Sequence, residues 1–185
     1  MDNGASSYRR FLDGDDHAIA EIVGAYKDGL ILYLNGYVRN VFVAEELAED
    51  TFFRLITKKP RFGGNSSFKS FLYAIGRNVA VDHIRHRSKV RQIPLDEAEN
   101  VIAAVESLEQ TYLREEQKLA LNRALTQLPD DYRQVLWLSF FEGLSNKEIA
   151  AVMHKNERQV RNLLYRAKQS LKSILEKEGF VYEDL

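Results

Sequence analysis

The chain has 185 residues, is 45% hydrophobic, and is close to neutral, with 26 basic and 27 acidic side chains. That much apolar material supports a buried core and excludes wholesale disorder, while the lack of cysteine excludes disulfides and thiolate-held zinc or iron–sulfur centres. The N-terminus lacks the basic start and apolar run of a signal peptide, and no stretch approaches the roughly 18 uninterrupted apolar residues of a membrane span, so the expected location is the cytoplasm.

The near-neutral total hides blocks of charge. Residues 1–53 carry 4 basic and 10 acidic side chains, and residues 54–94 carry 10 basic and 1 acidic. Residues 95–116 return to 1 basic against 7 acidic, residues 117–172 hold 10 basic against 5 acidic, and the tail 173–185 has 1 against 4. Charges are screened beyond about 8 Å at physiological salt, so local sign decides what a surface attracts. Each basic block suits phosphate; each is equally explained, on charge alone, by a solvated helical face.

Only Pro60, Pro94 and Pro129 interrupt the chain, which leaves room for long helices. Residues 8–57 read as two or three of them. Phe11, Ile19, Ile22, Val23, Tyr26, Leu30, Leu34, Tyr37 and Val38 recur at steps of three and four, the spacing of one buried stripe. A further helix over 43–57 turns Leu47, Thr51, Phe52 and Leu55 inward and opens with Glu45, Glu46, Glu49 and Asp50. Acids near a helix start favour its dipole, but four in six residues exceed that need.

The segment 58–67, with Pro60, Gly63, Gly64, Asn65 and two serines, marks a loop. A helix from Phe68 to about Arg87 follows. Its dry stripe is Phe68, Phe71, Leu72, Ile75 and Val79, and its other side shows Lys69, Tyr73, Arg77, Asn78 and Arg85. A basic, aromatic-bearing face suits a nucleic acid. Phe68 and Phe71 are expected in the core and Tyr73 at the surface.

Residues 89–110, with Pro94 and most of the acidic block, read as a linker. Fully extended, it would span about 70 Å at ~3.3 Å per residue, or about two turns of duplex DNA.

Residues 111–178 read as four helices. The first ends near Leu128; Asp130 is placed to cap the second, which runs through Val135, Leu136, Leu138 and Phe140 to Gly143 as its C′ residue. Ser145 and Glu148 have capping-box spacing ahead of a short helix with Ile149, Ala150 and Val152. Asn156 and Gln159 mark the start of the last helix, whose stripe is Val160, Leu163, Leu164, Ala167, Leu171, Ile174 and Leu175. Two short helices across a tight turn, the second basic at its start, describe a helix-turn-helix. Arg158, Gln159, Arg161 and Asn162 are placed to reach base edges, and Arg166, Lys168 and Lys172 to reach phosphates.

The run Leu128-Pro129-Asp130-Asp131-Tyr132-Arg133-Gln134-Val135-Leu136, then Phe141 to Ala150 and Val160 to Lys168, resembles the C-terminal domain of extracytoplasmic-function sigma factors, a subfamily of the sigma-70 family. His154 stands at or beside the family's usual turn glycine. Val43 to Leu55 resembles the family's polymerase-binding helix, with Val43 where an aspartate is common. Phe62 to Leu72 and Ile75 to Arg85 resemble the loop and helix that recognise the −10 element. Together these segments cover about residues 8–88 and 111–175.

The resemblance implies an all-α fold of two small helical domains: 1–88 binding core polymerase and melting the −10 region, a linker at 89–110, and a helix-turn-helix domain at 111–185 reading the −35 element. It places Arg158, Gln159, Arg161, Asn162, Tyr165, Arg166 and Lys168 at the −35 element. Asn65, Ser66, Ser67, Lys69, Tyr73, Arg77, Asn78 and Arg85 fall at the −10 element. Glu46, Leu47, Glu49, Asp50 and Phe53 meet the clamp of the polymerase's largest subunit. Implied partners are core RNA polymerase at its clamp and flap, promoter DNA in double- and single-stranded form, and an anti-sigma factor.

Two other classes compete with this reading. An enzyme has little in its favour: no phosphate-binding glycine loop, nucleophile elbow or carboxylate pair among apolar walls is present, and no cofactor is called for. His83 and His86 have metal-ligand spacing, but they sit among Arg85, Arg87 and Lys89, which repel a cation. A plain helix-turn-helix regulator, binding duplex DNA without polymerase and as a symmetric dimer, is the alternative reading.

Overall fold

The computed structural model describes residues 3–90 and 121–177, and among these every regular element is a helix. The expected linker at 89–110 and the start of the C-terminal unit lie almost wholly outside the described residues. Four helices form the N-terminal unit: α1 (Asn3–Leu12), α2 (His17–Val38), α3 (Val41–Lys58) and α4 (Phe68–Val90). The C-terminal unit comprises α5 (residues 121–127), α6 (Asp130–Leu136), a π-helical turn Trp137–Phe141, α7 (Asn146–Met153) and α8 (Glu157–Lys177).

The N-terminal core forms where the stripes of α2, α3 and α4 meet. Ile22, Leu30, Leu34, Leu47, Leu55, Phe68 and Leu72 are buried there. Each such side chain contributes about 1.5–3 kcal/mol by leaving water. Tyr8 on α1 packs 5.3 Å from the Phe68 ring, and its hydroxyl donates to the Pro60 carbonyl at 2.7 Å, which ties α1 to the loop before α4. Phe62 closes the same cluster, 5.2 Å from Phe71. Phe68 is buried and Phe71 partly so, as their place on the dry stripe implies.

Helix ends follow local chemistry. Asn40 accepts a hydrogen bond from Val43 N at 3.1 Å, so α3 is capped from a position ahead of Val43. Ser145 and Glu148 form a reciprocal capping box on α7. Asp130 departs from its expected capping role. Pro129 precedes the helix, and Asp130 sits in the first turn with its carboxylate on Arg133. The helix widens into the π-helical turn, and Gly143, at φ +66°, stands just past its end as the C′ glycine expected there. That widening turns Phe140 and Phe141 outward, half exposed, and Phe141 stacks on Trp137 at 4.4 Å.

Candidate nucleic-acid interface

The helix-turn-helix consists of α7, a tight turn, and α8. His154 ends α7 at φ 52°, a left-handed position that ordinarily favours glycine. The fold accepts it there, and the turn keeps the glycine-like geometry. α8 buries Val160, Ala167, Leu171 and Leu175, leaving Arg158, Gln159, Arg161, Asn162, Tyr165, Arg166 and Lys168 together on its exposed side. Tyr165, 67% exposed, is the one aromatic ring of that set. Gln159 also caps the helix. Its Oε1 accepts from Asn156 N at 2.8 Å while Asn156 Oδ1 accepts from Gln159 N at 2.9 Å. Lys168 Nζ lies over the Phe140 ring at 4.9 Å, a cation–π contact within the same surface.

The residues expected at the −10 element divide. Asn65, Asn78 and Arg85 are exposed, and Ser66, Ser67, Lys69 and Arg77 are half-buried. Tyr73 corrects the expectation: it is 1% exposed, packed 5.1 Å from Tyr33, rather than a surface ring. Burial, reinforced by the nearby Glu142 charge, raises its pKa far above the ordinary tyrosine range. No pattern within α4 shows this, because the groups that cover Tyr73 come from α2 and from the C-terminal unit.

On α3, Glu46, Glu49, Asp50 and Phe53 are exposed, with Phe53 64% accessible. Leu47 is 4% exposed and cannot present itself to a partner; it belongs to the core, as its place on the inward stripe requires. Sequence reasoning missed Phe42, 73% exposed, and Ile56 at the other end of the helix. Phe42, Glu46, Glu49, Phe53 and Ile56 advance by four, three, four and three residues, which places them in one row. The row mixes exposed apolar and acidic side chains on one face of α3. The periodicity that revealed it was available in the sequence, one face over from the core stripe.

Contacts between the two units use several of these residues. Lys69 Nζ donates to the Glu142 carboxylate at 3.1 Å and to its carbonyl at 3.2 Å. Ser67 N donates to Glu148 Oε1 at 3.3 Å, and His154 Nε2 lies 3.0 Å from Asn78 Oδ1. Burial tends to raise the Glu148 pKa, but hydrogen bonds from Ser67 and Ser145 outweigh it and hold the carboxyl below its ordinary range. Among the described residues no group of His, Asp and Glu is clustered to hold a metal ion, and no helix is long and apolar enough to cross a membrane.

This architecture defines a two-part helix-turn-helix protein: one unit carries the basic helix α8, the other a basic α4 beside an acidic–apolar row. Residues 22–90 match the model for sigma-70 region 2, and residues 118–171 match that for sigma-70 region 4. The RNA polymerase sigma-H factor of Pseudomonas aeruginosa is 28% identical over 171 residues, covering 88% of this chain and 89% of that one. The ECF RNA polymerase sigma factor SigW of Bacillus subtilis is 26% identical over 170 residues, covering 88% and 91%. Two solved structures share the fold. CnrH in complex with the cytosolic domain of CnrY matches with a TM-score of 0.65 at 19% identity, over 95% of this chain and 96% of that one. The sigma factor RpoE in complex with the anti-sigma factor NepR, from Bartonella quintana, matches with a TM-score of 0.68 at 20% identity, over 85% and 96%. The chain belongs to the extracytoplasmic-function group of the sigma-70 family, the sigma factors that direct RNA polymerase to promoters.

Proposed function

We propose that residues 1–88 hold core polymerase and open the −10 region, while residues 111–185 read the −35 element, with 89–110 as the tether. The observation that carries this reading is the separation of surfaces. The α8 face with Arg158, Arg161, Asn162 and Arg166 is exposed on one unit, and the α3 row with Glu46, Glu49, Asp50 and Phe53 is exposed on the other. Arg pairs with guanine and Asn with adenine in the major groove, which suits the first turns of α8 to base readout. The acidic–apolar row on α3 complements a basic protein surface, the polymerase clamp, and Phe42 and Ile56 extend it. RNA synthesis stays with polymerase, so this chain acts as a specificity subunit in the cytoplasm and catalyses nothing itself. An anti-sigma partner follows from the family and from the complex that the RpoE neighbour forms with NepR.

A gel shift with and without core polymerase separates this reading from that of a stand-alone regulator. A sigma factor shifts an asymmetric promoter only when core enzyme is present. A polymerase-independent shift on a palindrome supports the plain helix-turn-helix regulator instead.

A further inference from the structure

Phe140 is a large apolar side chain that the core does not take. In an unbroken α-helix it would follow Leu136, four residues earlier and 2% exposed, into the interior. Instead Glu142 N donates to Trp137 O at 3.2 Å, five residues back. The extra residue in that turn shifts the face of the helix by about 100°. The ring emerges 51% exposed. Phe141 stacks on Trp137, whereas Phe140 pairs with no other ring among the described residues.

What meets the Phe140 ring is a cation. Lys168 Nζ reaches across from α8 to within 4.9 Å of its centroid. Lys168 is exposed and makes no ion pair among the described residues, while Arg161 and Lys172 on the same helix each face a carboxylate, Glu157 at 4.0 Å and Glu176 at 3.8 Å. The difference matters chemically. A carboxylate partner holds an ammonium and cancels its charge. An aromatic face attracts it through the ring quadrupole and leaves the whole charge for a third group.

The position of Lys168 says what that group is. Arg161, Tyr165 and Lys168 advance by four and three residues along one exposed side of α8. At ~1.5 Å per residue, Lys168 stands about 10 Å along the axis from Arg161. With the first turns of α8 at base edges, that distance carries Lys168 to the wall of a major groove ~12 Å wide, where the phosphates run. A lysine loses much rotamer freedom on fixing such a contact, and a ring that already holds the side chain lowers the loss.

We infer that Phe140 is a positioning residue for promoter binding: the π-helical turn presents its ring so that Lys168 is held, still fully charged, toward a DNA phosphate at the −35 element. This role rests on the assignment of α8 to the −35 major groove. Phe140 reads no base itself and acts through Lys168.

The test uses holoenzyme assembled from full-length chains and core polymerase, titrated with a promoter fragment and a panel of −35 variants at several salt concentrations. Phe140→Leu keeps an apolar side chain and removes the π face. It lowers affinity about two- to fivefold, the worth of an exposed cation–π contact, and evenly across the panel. Phe140→Tyr keeps the π face and the wild-type affinity. Lys168→Ala weakens binding evenly and reduces the salt slope by about one, and Phe140→Leu then costs nothing further. In the free wild-type chain the ring current shifts the Lys168 ε-methylene protons upfield, a readout that stands even where Phe140→Leu does not fold.

An undiminished loss from Phe140→Leu in the Lys168→Ala background means that the ring makes a contact of its own and overturns the inference. A loss seen in core binding without DNA does the same, since the ring is then a polymerase-docking surface. So do unshifted Lys168 protons. If Arg161→Ala changes base preference while Lys168→Ala changes nothing, α8 keeps its place in the groove and only the role of Phe140 and Lys168 is lost. If neither changes anything, the placement of α8 fails and this role with it.

Discussion

Asn156 and Gln159 hold each other across the first turn of α8, each side chain accepting from the other's backbone N–H at 2.8 and 2.9 Å. The Gln159 side chain is thereby turned back along the helix, away from the reach its position offers toward a groove. Gln159→Ala is expected to lower stability by about 0.5–1 kcal/mol, through the lost cap, and to leave base preference unchanged. Thermal unfolding and promoter selection on the same variant check both halves; a changed base preference at one position would return Gln159 to DNA readout.

Arg161 and Lys172 occupy different parts of α8, and both are exposed with only long ion pairs, Arg161–Glu157 at 4.0 Å and Lys172–Glu176 at 3.8 Å. Arg161→Ala is expected to cost about 1–3 kcal/mol at selected bases and little elsewhere. Lys172→Ala is expected to weaken binding evenly across sequences and to reduce the salt slope by about one. Holoenzyme binding to a panel of −35 variants at several salt concentrations distinguishes the two patterns.

His154 at φ 52° isolates the backbone cost of a left-handed side chain, provided its hydrogen bond to Asn78 is removed in both variants compared. His154→Gly should be more stable than His154→Ala by about 1 kcal/mol, since both lack the imidazole and only glycine takes that φ without penalty. Paired denaturation curves measure the difference. Equal stability would mean that the turn relaxes away from its left-handed geometry.

Glu46→Lys reverses charge in the middle of the exposed row on α3, and Phe42→Ser removes its most exposed ring. Both substitutions are expected to weaken binding to core polymerase while changing stability by less than about 0.5 kcal/mol, as surface changes do. Affinity measurements with core, alongside melting curves, decide this. Unaltered affinity in both variants would move the polymerase contact to another surface.

Tyr8 shows how the core responds to alkali. Burial pushes its pKa from 10.0 up to about 12, and Tyr33 and Tyr73 are likewise raised by burial first and neighbouring groups second. In each the folded chain favours the neutral phenol. The stability so conferred is complete below the unfolded value near 10 and is lost as pH rises toward the folded value of Tyr8. Unfolding followed by tyrosinate absorbance should therefore begin above about pH 10 and be cooperative. Independent titration of these tyrosines in a folded chain would contradict the burial argument.

Much of this organisation was legible in the chain. Steps of three and four placed Leu30, Leu34, Leu55, Leu72 and Leu171 in the core, and the Ser145–Glu148 and Asn156–Gln159 spacings marked true helix starts. Such signals are local, so one helix suffices to display them. Tyr73 was harder to place, because its burial depends on Tyr33 and Glu142, distant in sequence; Leu47 already stood on the inward stripe of α3, and only the family resemblance set it at the polymerase. The π-helical turn at Trp137–Phe141 also escaped, because its widening is no property of hydrophobic spacing. The docking of Arg133 on Gly36 involves residues 97 apart, and no pattern within either helix points to it.

Transcription reconstituted from purified chain and core polymerase on a library of promoter fragments tests the central claim most directly. The account predicts transcripts starting at asymmetric sites with two shared elements about two duplex turns apart, lost together when Arg158 and Arg161 are both replaced by alanine. No transcripts from any template, or transcripts unaffected by that double replacement, would contradict it.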